Sequence, residues 1–401
     1  TRIILDDIKD EKPKFKIGDL VKTKKGKLNT MIKPIYLVII LLATSVVYGQ
    51  SNWLYRGGGN SHDEALDIAT DASGNYYMTG YKTGDAEFGT DLLLDNGFSD
   101  IFLSKTDPNG NFLWSIDAGG PAADRAYSVH VDGGGFSYIT GYFNGVADFG
   151  GISLTATAGS QDFFIAKYNP AGGIVWAQNF GGSNSESGYD VELDNLGNLI
   201  VTGQFKGTMT LGAATYTSAI DPGTGIWGFD IFIMKLDPSG NILWSKHGDA
   251  PYDDRGLDIA VDNMNNIIVC GQFSDTIVFD NQYDNNVQNA GFVMKMDENG
   301  AEQWFDIYSA GQVVLYSIEH DGSNNVIVAG SFIGNLLFRG PSGSIYYPTS
   351  YTYNTLITKV DAGGGSVWIS SDGSDNLLTA RDLTVDSNDD IYITGNFKCE
   401  F

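Results

Sequence analysis

From residue 65 onward, short apolar runs alternate with clusters of Asp, Asn, Gly and Ser, and one arrangement returns six times. A small residue, a free position, Asp or Ser, and an apolar residue lead to Asp, then a turn, then a strand ending in Gly. It reads ALDIATDASGNYYMTG at 65–80, AYSVHVDGGGFSYITG at 126–141, GYDVELDNLGNLIVTG at 188–203 and GLDIAVDNMNNIIVCG at 256–271. It returns as LYSIEHDGSNNVIVAG at 315–330 and ARDLTVDSNDDIYITG at 380–395. The Asp-to-Gly offset is nine each time: Asp71, Asp132, Asp194, Asp262, Asp321 and Asp386 lead to Gly80, Gly141, Gly203, Gly271, Gly330 and Gly395. Between these units lies a second one, Lys–x–[Asp/Asn]–x–x–Gly–x–x–x–Trp, led by Lys105, Lys167, Lys235, Lys295 and Lys359 and closed by Trp114, Trp176, Trp244, Trp304 and Trp368.

Each unit is two short apolar strands about an Asp/Asn/Gly turn. Asp and Asn side chains close such turns and Gly supplies positive φ, so both units predict hairpins. Two hairpins per period of about 62 residues predict a four-stranded antiparallel sheet. One such sheet cannot bury both faces, whereas stacking sheets around an axis buries them against each other. The fold class predicted is all-β, a β-propeller of six or seven four-stranded blades. Five full repeats follow Trp53 and a sixth breaks register at Cys399-Glu400-Phe401, so the last blade reads as truncated. The strand from Trp53 to Gly58 is then the outer strand of that last blade. A large flat side chain with one N–H at the same place in every repeat suits the seam between blades.

The run Asp71-Ala72-Ser73-Gly74-Asn75-Tyr76-Tyr77-Met78-Thr79-Gly80 resembles the bacterial SBBP-type β-propeller repeat, and the resemblance extends over roughly 51–398. It implies an exported or cell-surface protein, with propeller modules that often sit in larger chains, and does not imply a catalytic activity. The Trp-bearing turns are also similar to the Trp-docking turns of quinoprotein dehydrogenases, with a shorter Asp-to-Gly step. That likeness implies packing alone.

The first fifty residues follow other rules. Met31 opens a signal-peptide pattern: Lys33, an uncharged apolar run from Ile35 to Val47, then Val47-Tyr48-Gly49 before Gln50. The run is short of the roughly 20 residues that span a membrane. Residues 31–49 are therefore read as a signal peptide and 50–401 as the mature repeats. Residues 1–30 precede the signal's methionine. Their Lys14–Val21 stretch resembles the C-terminal barrel segment of retroelement integrases, and they are read as upstream read-through or a fusion in the gene model.

The chain carries a net charge of −25, but residues 51–401 hold 14 basic against 44 acidic side chains, a balance of −30. A body this acidic excludes nucleic acid and anionic membrane surfaces as natural partners. Two cysteines, Cys270 and Cys399, are too few for a disulfide scaffold or a cysteine zinc site. They occupy different places in the repeat, which disfavours their pairing.

Candidate chemistry is sparse. Asp71, Asp321 and Asp386 open loops with oxygen groups at positions 1, 3 and 5, as a calcium loop would. Position 12 is then Lys82, Phe332 or Phe397 rather than an acid, so turn closure is the better account. A second acidic set, Asp63, Asp67, Asp124, Glu186, Asp190, Asp254 and Asp258, precedes or begins the inner strands and predicts an acidic rim around the channel, suited to a cation or a basic partner. Gly223–Gly228 matches G-x-G-x-x-G without the flanking strand and helix, and reads as a protruding loop that exposes Trp227. The first functional expectation is a non-enzymatic exported scaffold, a monomeric module of a longer protein. It has no cofactor and binds a protein or glycan through loops at 208–228, 281–290 and 339–354. The alternatives are a propeller-type lyase or glycoside hydrolase, which requires non-repeat polar residues converging at the channel mouth, and a calcium-stabilised adhesin.

Overall fold

The alternating runs form strands that pair as the repeat demands. The first sheet is Glu64–Thr70, Tyr76–Lys82, Asp100–Thr106 and Phe112–Ala118, antiparallel in chain order. The second is Arg125–Val131, Ser137–Asn144, Gln161–Tyr168 and Ile174–Phe180. The third is Glu186–Leu193, Leu199–Lys206, Phe229–Leu236 and Ile242–Gly248. The fourth begins Arg255–Val261, Ile267–Phe273, Ala290–Met296 and Glu302–Ser309. The fifth is Gln312–His320, Val326–Ile333, Tyr353–Val360 and Ser366–Ser374. A sixth sheet holds Leu378–Val385 and Ile391–Phe397. The structure is a computed structural model that describes residues 56–284, 289–347, 353–374 and 378–397. The signal segment, residues 1–30, Trp53 and Cys399 lie outside the described residues, as do parts of the loops at 281–290 and 339–354.

Inner strands of successive sheets touch one another along the whole series, so the sheets radiate from a common axis. Each gap between sheets is filled by apolar side chains from both. Tyr77, Ile101 and Leu103 of the first sheet meet Val129, Ile139 and Phe164 of the second. The third strands are buried on both faces, which is why they read as unbroken apolar runs rather than alternating ones.

The repeating Gly follows from a bulge. Pairing between the first two strands skips a residue at Leu66, Tyr127, Tyr189, Leu257, Tyr316 and Arg381. The bulge presses an inner-strand carbonyl against the repeated Gly, which lies inside the second strand rather than at its end. A Cβ there would lie 2.0 Å from Glu64 O at Gly80, and 1.9 Å from Arg255 O at Gly271.

Each of the first five repeats holds more strands than predicted. Between its second and third strands sits a small extra hairpin: Ala86–Phe88 with Asp91–Leu93, Val146–Asp148 with Ser153–Thr155, Thr208–Leu211 with Ala214–Thr217, and Thr276–Val278 with Gln282–Asp284. In the fifth repeat it is Leu336–Gly340 with Gly343–Tyr347. Every hairpin reaches back to the outer strand of the preceding sheet, through Gly119↔Asp148, Gly182↔Met209, Asp249↔Val278 and the Ile307–Ser309 pairing. Gly57–Gly59 pairs with Ala86–Phe88 in the same manner, so it takes the place of an outer-strand end. The hairpins and the sheet-to-sheet linkers share one end of the molecule, and the tight Asp turns share the other.

Candidate functional site

The residues that repeat are engaged in ties within and between sheets. Trp114 Nε1 donates to Pro170 O of the next sheet (3.1 Å), Trp176 to Pro238 O (3.4 Å), Trp244 to Glu298 O (3.3 Å) and Trp304 to Ala362 O (3.0 Å). Each acceptor lies in the turn that the next repeat's second unit builds. The turn's positive-φ glycine lies against the indole: a Cβ at Gly172 would sit 3.0 Å from Trp114, and one at Gly364 2.9 Å from Trp304. For Trp368 the described residues include no following turn.

The turn aspartates close their own loops. Asp71 Oδ1 accepts the N–H groups of Ser73 and Asn75, and Asp132, Asp194, Asp262, Asp321 and Asp386 repeat the pattern. The periodic lysines turn inward. Lys105 reaches Asp71 (3.3 Å), Lys235 Asp194 (2.9 Å), Lys295 Asp262 (2.8 Å) and Lys359 Asp321 (2.6 Å). Burial works upward on the Asp262 carboxyl, but Lys295, Asn266 and the turn amides outweigh it and hold the pKa below the usual range. In the second repeat, Lys167 lies over the Phe136 and Tyr138 rings, and Asp132 accepts from Tyr138 Oη instead.

The predicted acidic rim divides in two. Asp63, Asp124, Glu186 and Asp254 clamp the linkers between sheets. Asp124 accepts the N–H groups of Gly120 (2.8 Å) and Asn144 (2.9 Å), and Asp63 accepts those of Gly59 (2.6 Å) and Thr83 (3.0 Å). Glu186 accepts from Gly182 and Asp254 from Ser274. Asp124, Glu186 and Asp254 are fully buried, and desolvation raises Asp124 to about 7 and Glu186 to about 8. A linker between strands leaves backbone N–H groups without ladder partners, and a carboxylate four residues on satisfies them.

Asp67, Asp190 and Asp258 hold one place on successive inner strands, with Asp382 completing the set and Ser128 and Ser317 filling the other two places. Each ties its inner strand to the next. Val129 N donates to Asp67 (2.7 Å), Ile259 N to Asp190 (2.9 Å) and Ile318 N to Asp258 (2.6 Å), while the Ser128 and Ser317 hydroxyls donate to Asp190 and Asp382. Depth in the molecule, then the other carboxylates of the set, raises Asp67 to about 7. Burial, then the charge of Asp190 and the hydrogen bond to it, push the Asp258 carboxyl well above the usual range. One layer further along, His130 Nδ1 lies 3.0 Å from Glu192. No group of three or more His, Cys, Asp or Glu side chains has metal-ligand geometry among the described residues. Cys270 is buried, with its thiol 3.7 Å from Leu315 O.

The residues that the repeat motif leaves free gather at the hairpin end of the inner strands. The Arg125 guanidinium lies 4.2 Å over the Tyr81 ring of the preceding sheet. Tyr127 packs on Tyr189 of the next sheet (5.3 Å) and on Tyr142 (5.8 Å), and Arg255 acts electrostatically on Tyr189. Arg381 lies 4.4 Å over Tyr316, beside a pocket lined also by Gln312, Ser331 and Thr379. Sequence reasoning passed over this cluster because it sits at the free position of the motif. The signal was there in the unshared residues: Tyr, Tyr, Tyr and Arg recur at the one place the repeat does not specify.

Sheets radiating from an axis, stitched inner strand to inner strand and Trp to turn, define a β-propeller repeat protein. No protein-family model matches the chain. Among curated proteins it is similar to an uncharacterised WD repeat-containing protein of Acanthamoeba polyphaga mimivirus, 27% identical over 234 residues. That match takes in 50% of this chain and only 17% of the relative's length. Among solved structures, a Bacteroides caccae protein of unknown function aligns with a TM-score of 0.37 and 11% identity, over 79% of this chain and 85% of the other. The WD40 β-propeller domain of Doa1 aligns with a TM-score of 0.35 and 10% identity, over 85% of this chain and 92% of that one.

Proposed function

We propose that the chain is an exported, non-enzymatic β-propeller scaffold of the SBBP repeat class that binds protein or glycan partners at a cell surface. The observation that carries this reading is how the residues are divided between stitching and display. The repeating Asp and Lys, with Trp114, Trp176, Trp244 and Trp304, make ties within or between sheets, while variation in length and sequence falls on the hairpin end. Apolar side chains stand exposed there, Phe98 at 75% and Tyr346 at 60%, together with Ile220, Ile226 and Trp227 on the loop after the third hairpin. Trp227 bridges back to Ile220, and Asp221 caps the loop by accepting Gly223 N–H (2.7 Å), so the loop is held out in a defined shape.

The test is expression of residues 31–401 in a bacterial host, with recovery from the extracytoplasmic fraction and N-terminal sequencing. A mature chain beginning at Gln50 supports export, and retention of the uncleaved chain in the cytoplasm overturns it. The recovered protein should melt at one temperature with calcium or with chelator. A large drop with chelator would favour the calcium-stabilised adhesin instead.

A further inference from the structure

We propose that the tyrosine and arginine cluster at the hairpin end of the inner strands is a binding site for neutral oligosaccharides. This rests on the reading of the chain as a binding module and names a ligand class for it. The bulge in each inner strand places one extra side chain at the hairpin end, at the position the repeat motif does not specify. Tyr127, Tyr189 and Tyr316 occupy it, each half-buried, so part of each ring is covered while part faces solvent. An amphipathic ring of that kind offers a flat apolar face to the C–H side of a sugar and a hydroxyl to its edge.

Planar polar groups stand around these rings. Three of the five arginines in residues 51–401 are here, Arg125, Arg255 and Arg381, in a body otherwise dominated by carboxylates. A guanidinium spans two neighbouring hydroxyls with parallel N–H groups, as it does the two oxygens of a carboxylate. Gln204 holds on the third sheet the place that Tyr81 and Tyr142 hold on the first two. Its Oε1 and Arg125 Nε are buried without hydrogen-bond partners, leaving one acceptor and one donor unused. A hydroxyl both donates and accepts, so it complements both kinds of group. The overall balance of −30 repels anions and leaves a neutral ligand unaffected.

The chain from Gln50 is applied to an array of neutral oligosaccharides, and any ligand found is titrated calorimetrically. The Tyr127→Ala/Tyr189→Ala pair should weaken binding about tenfold or more, and Tyr127→Phe should keep most of it. Both variants should melt within a few degrees of the parent, which separates lost binding from lost folding. Raising salt from about 50 to about 500 mM should leave the affinity unchanged. Silence across the array, binding indifferent to the two tyrosines, or a steep fall with salt would each overturn the assignment. An exported chain that binds a protein but no glycan would refute the ligand class while leaving the scaffold reading intact. A chain retained in the cytoplasm would do the reverse.

Discussion

At the scale of single residues, one pairing recurs in four of the repeats. Lys295 and Asp262 are both almost fully buried at 2.8 Å, and Lys295 also donates to Ala362 O of the next sheet (3.5 Å). One ammonium therefore ties its own turn to its neighbour's. Removing a single partner leaves a buried charge uncompensated, which costs about 3–5 kcal/mol. Lys295→Met should destabilise by that order in urea unfolding, while the double variant Lys295→Met/Asp262→Asn should recover a good part of the loss. A single variant within experimental error of the parent would show that the pair contributes nothing. The turn role of Asp262 was legible from its spacing. The lysine's was not, because a lysine at the end of a strand satisfies the pattern equally well with its tip in water.

At the scale of the element, the nine-residue step from Asp to Gly encodes a bulged hairpin. Gly271 has no space for a side chain, with Arg255 O at 1.9 Å and the Phe292 ring at 2.9 Å from an added Cβ. Gly145, at φ +67 with nothing near it, has the opposite constraint: conformation without crowding. Gly271→Ala should force the two inner strands apart and lower the melting temperature by a few degrees, consistent with overpacking costs of about 1–3 kcal/mol. A melt unchanged by that substitution would mean the bulge relaxes freely. The five extra hairpins escaped sequence reading for a physical reason. Strands of three to five residues are too short to show alternation, and their stability comes from pairing with the preceding sheet.

At the scale of the whole molecule, buried acid sets the response to pH. Desolvation raises Asp67 and Asp124 to about 7, Glu186 and Asp306 to about 8, and Asp230 to about 9. Below the ordinary carboxyl pKa, both folded and unfolded chains hold these protons and the groups cost nothing. As pH rises, the unfolded chain releases them while the native fold must keep them, so stability falls through the interval and stays low above the folded pKa. The turn aspartates act in the opposite direction: Asp71, Asp194 and Asp321 are held below the usual range and lose their contribution as pH falls below about 4. The melting temperature should therefore peak near pH 5 and decline toward pH 9, as read by calorimetry. Asp306 is fully buried with neither oxygen hydrogen-bonded. Asp306→Asn should raise the melting temperature at pH 9 and leave it nearly unchanged at pH 5. An equal effect at both values would show that its burial is unrelated to ionisation.

Repetition let the amino-acid sequence alone determine the strands, the hairpin turns and the position of the Trp. Each of these depends on local geometry or on a contact made identically in every repeat, and recurrence along one chain separates such residues from chance. Tertiary structure decided the rest, because it depends on which neighbour a side chain meets. Asp63 and Asp67 lie four residues apart and looked equivalent. Only the bulge and the packing of the next sheet send Asp67 to the next inner strand and Asp63 to a linker. The same bulge turns the unspecified position of the motif into a collar of Tyr127, Tyr189, Tyr316 and Arg381. No single repeat could reveal it, since each contributes one side chain and the surface exists only when successive sheets stand side by side.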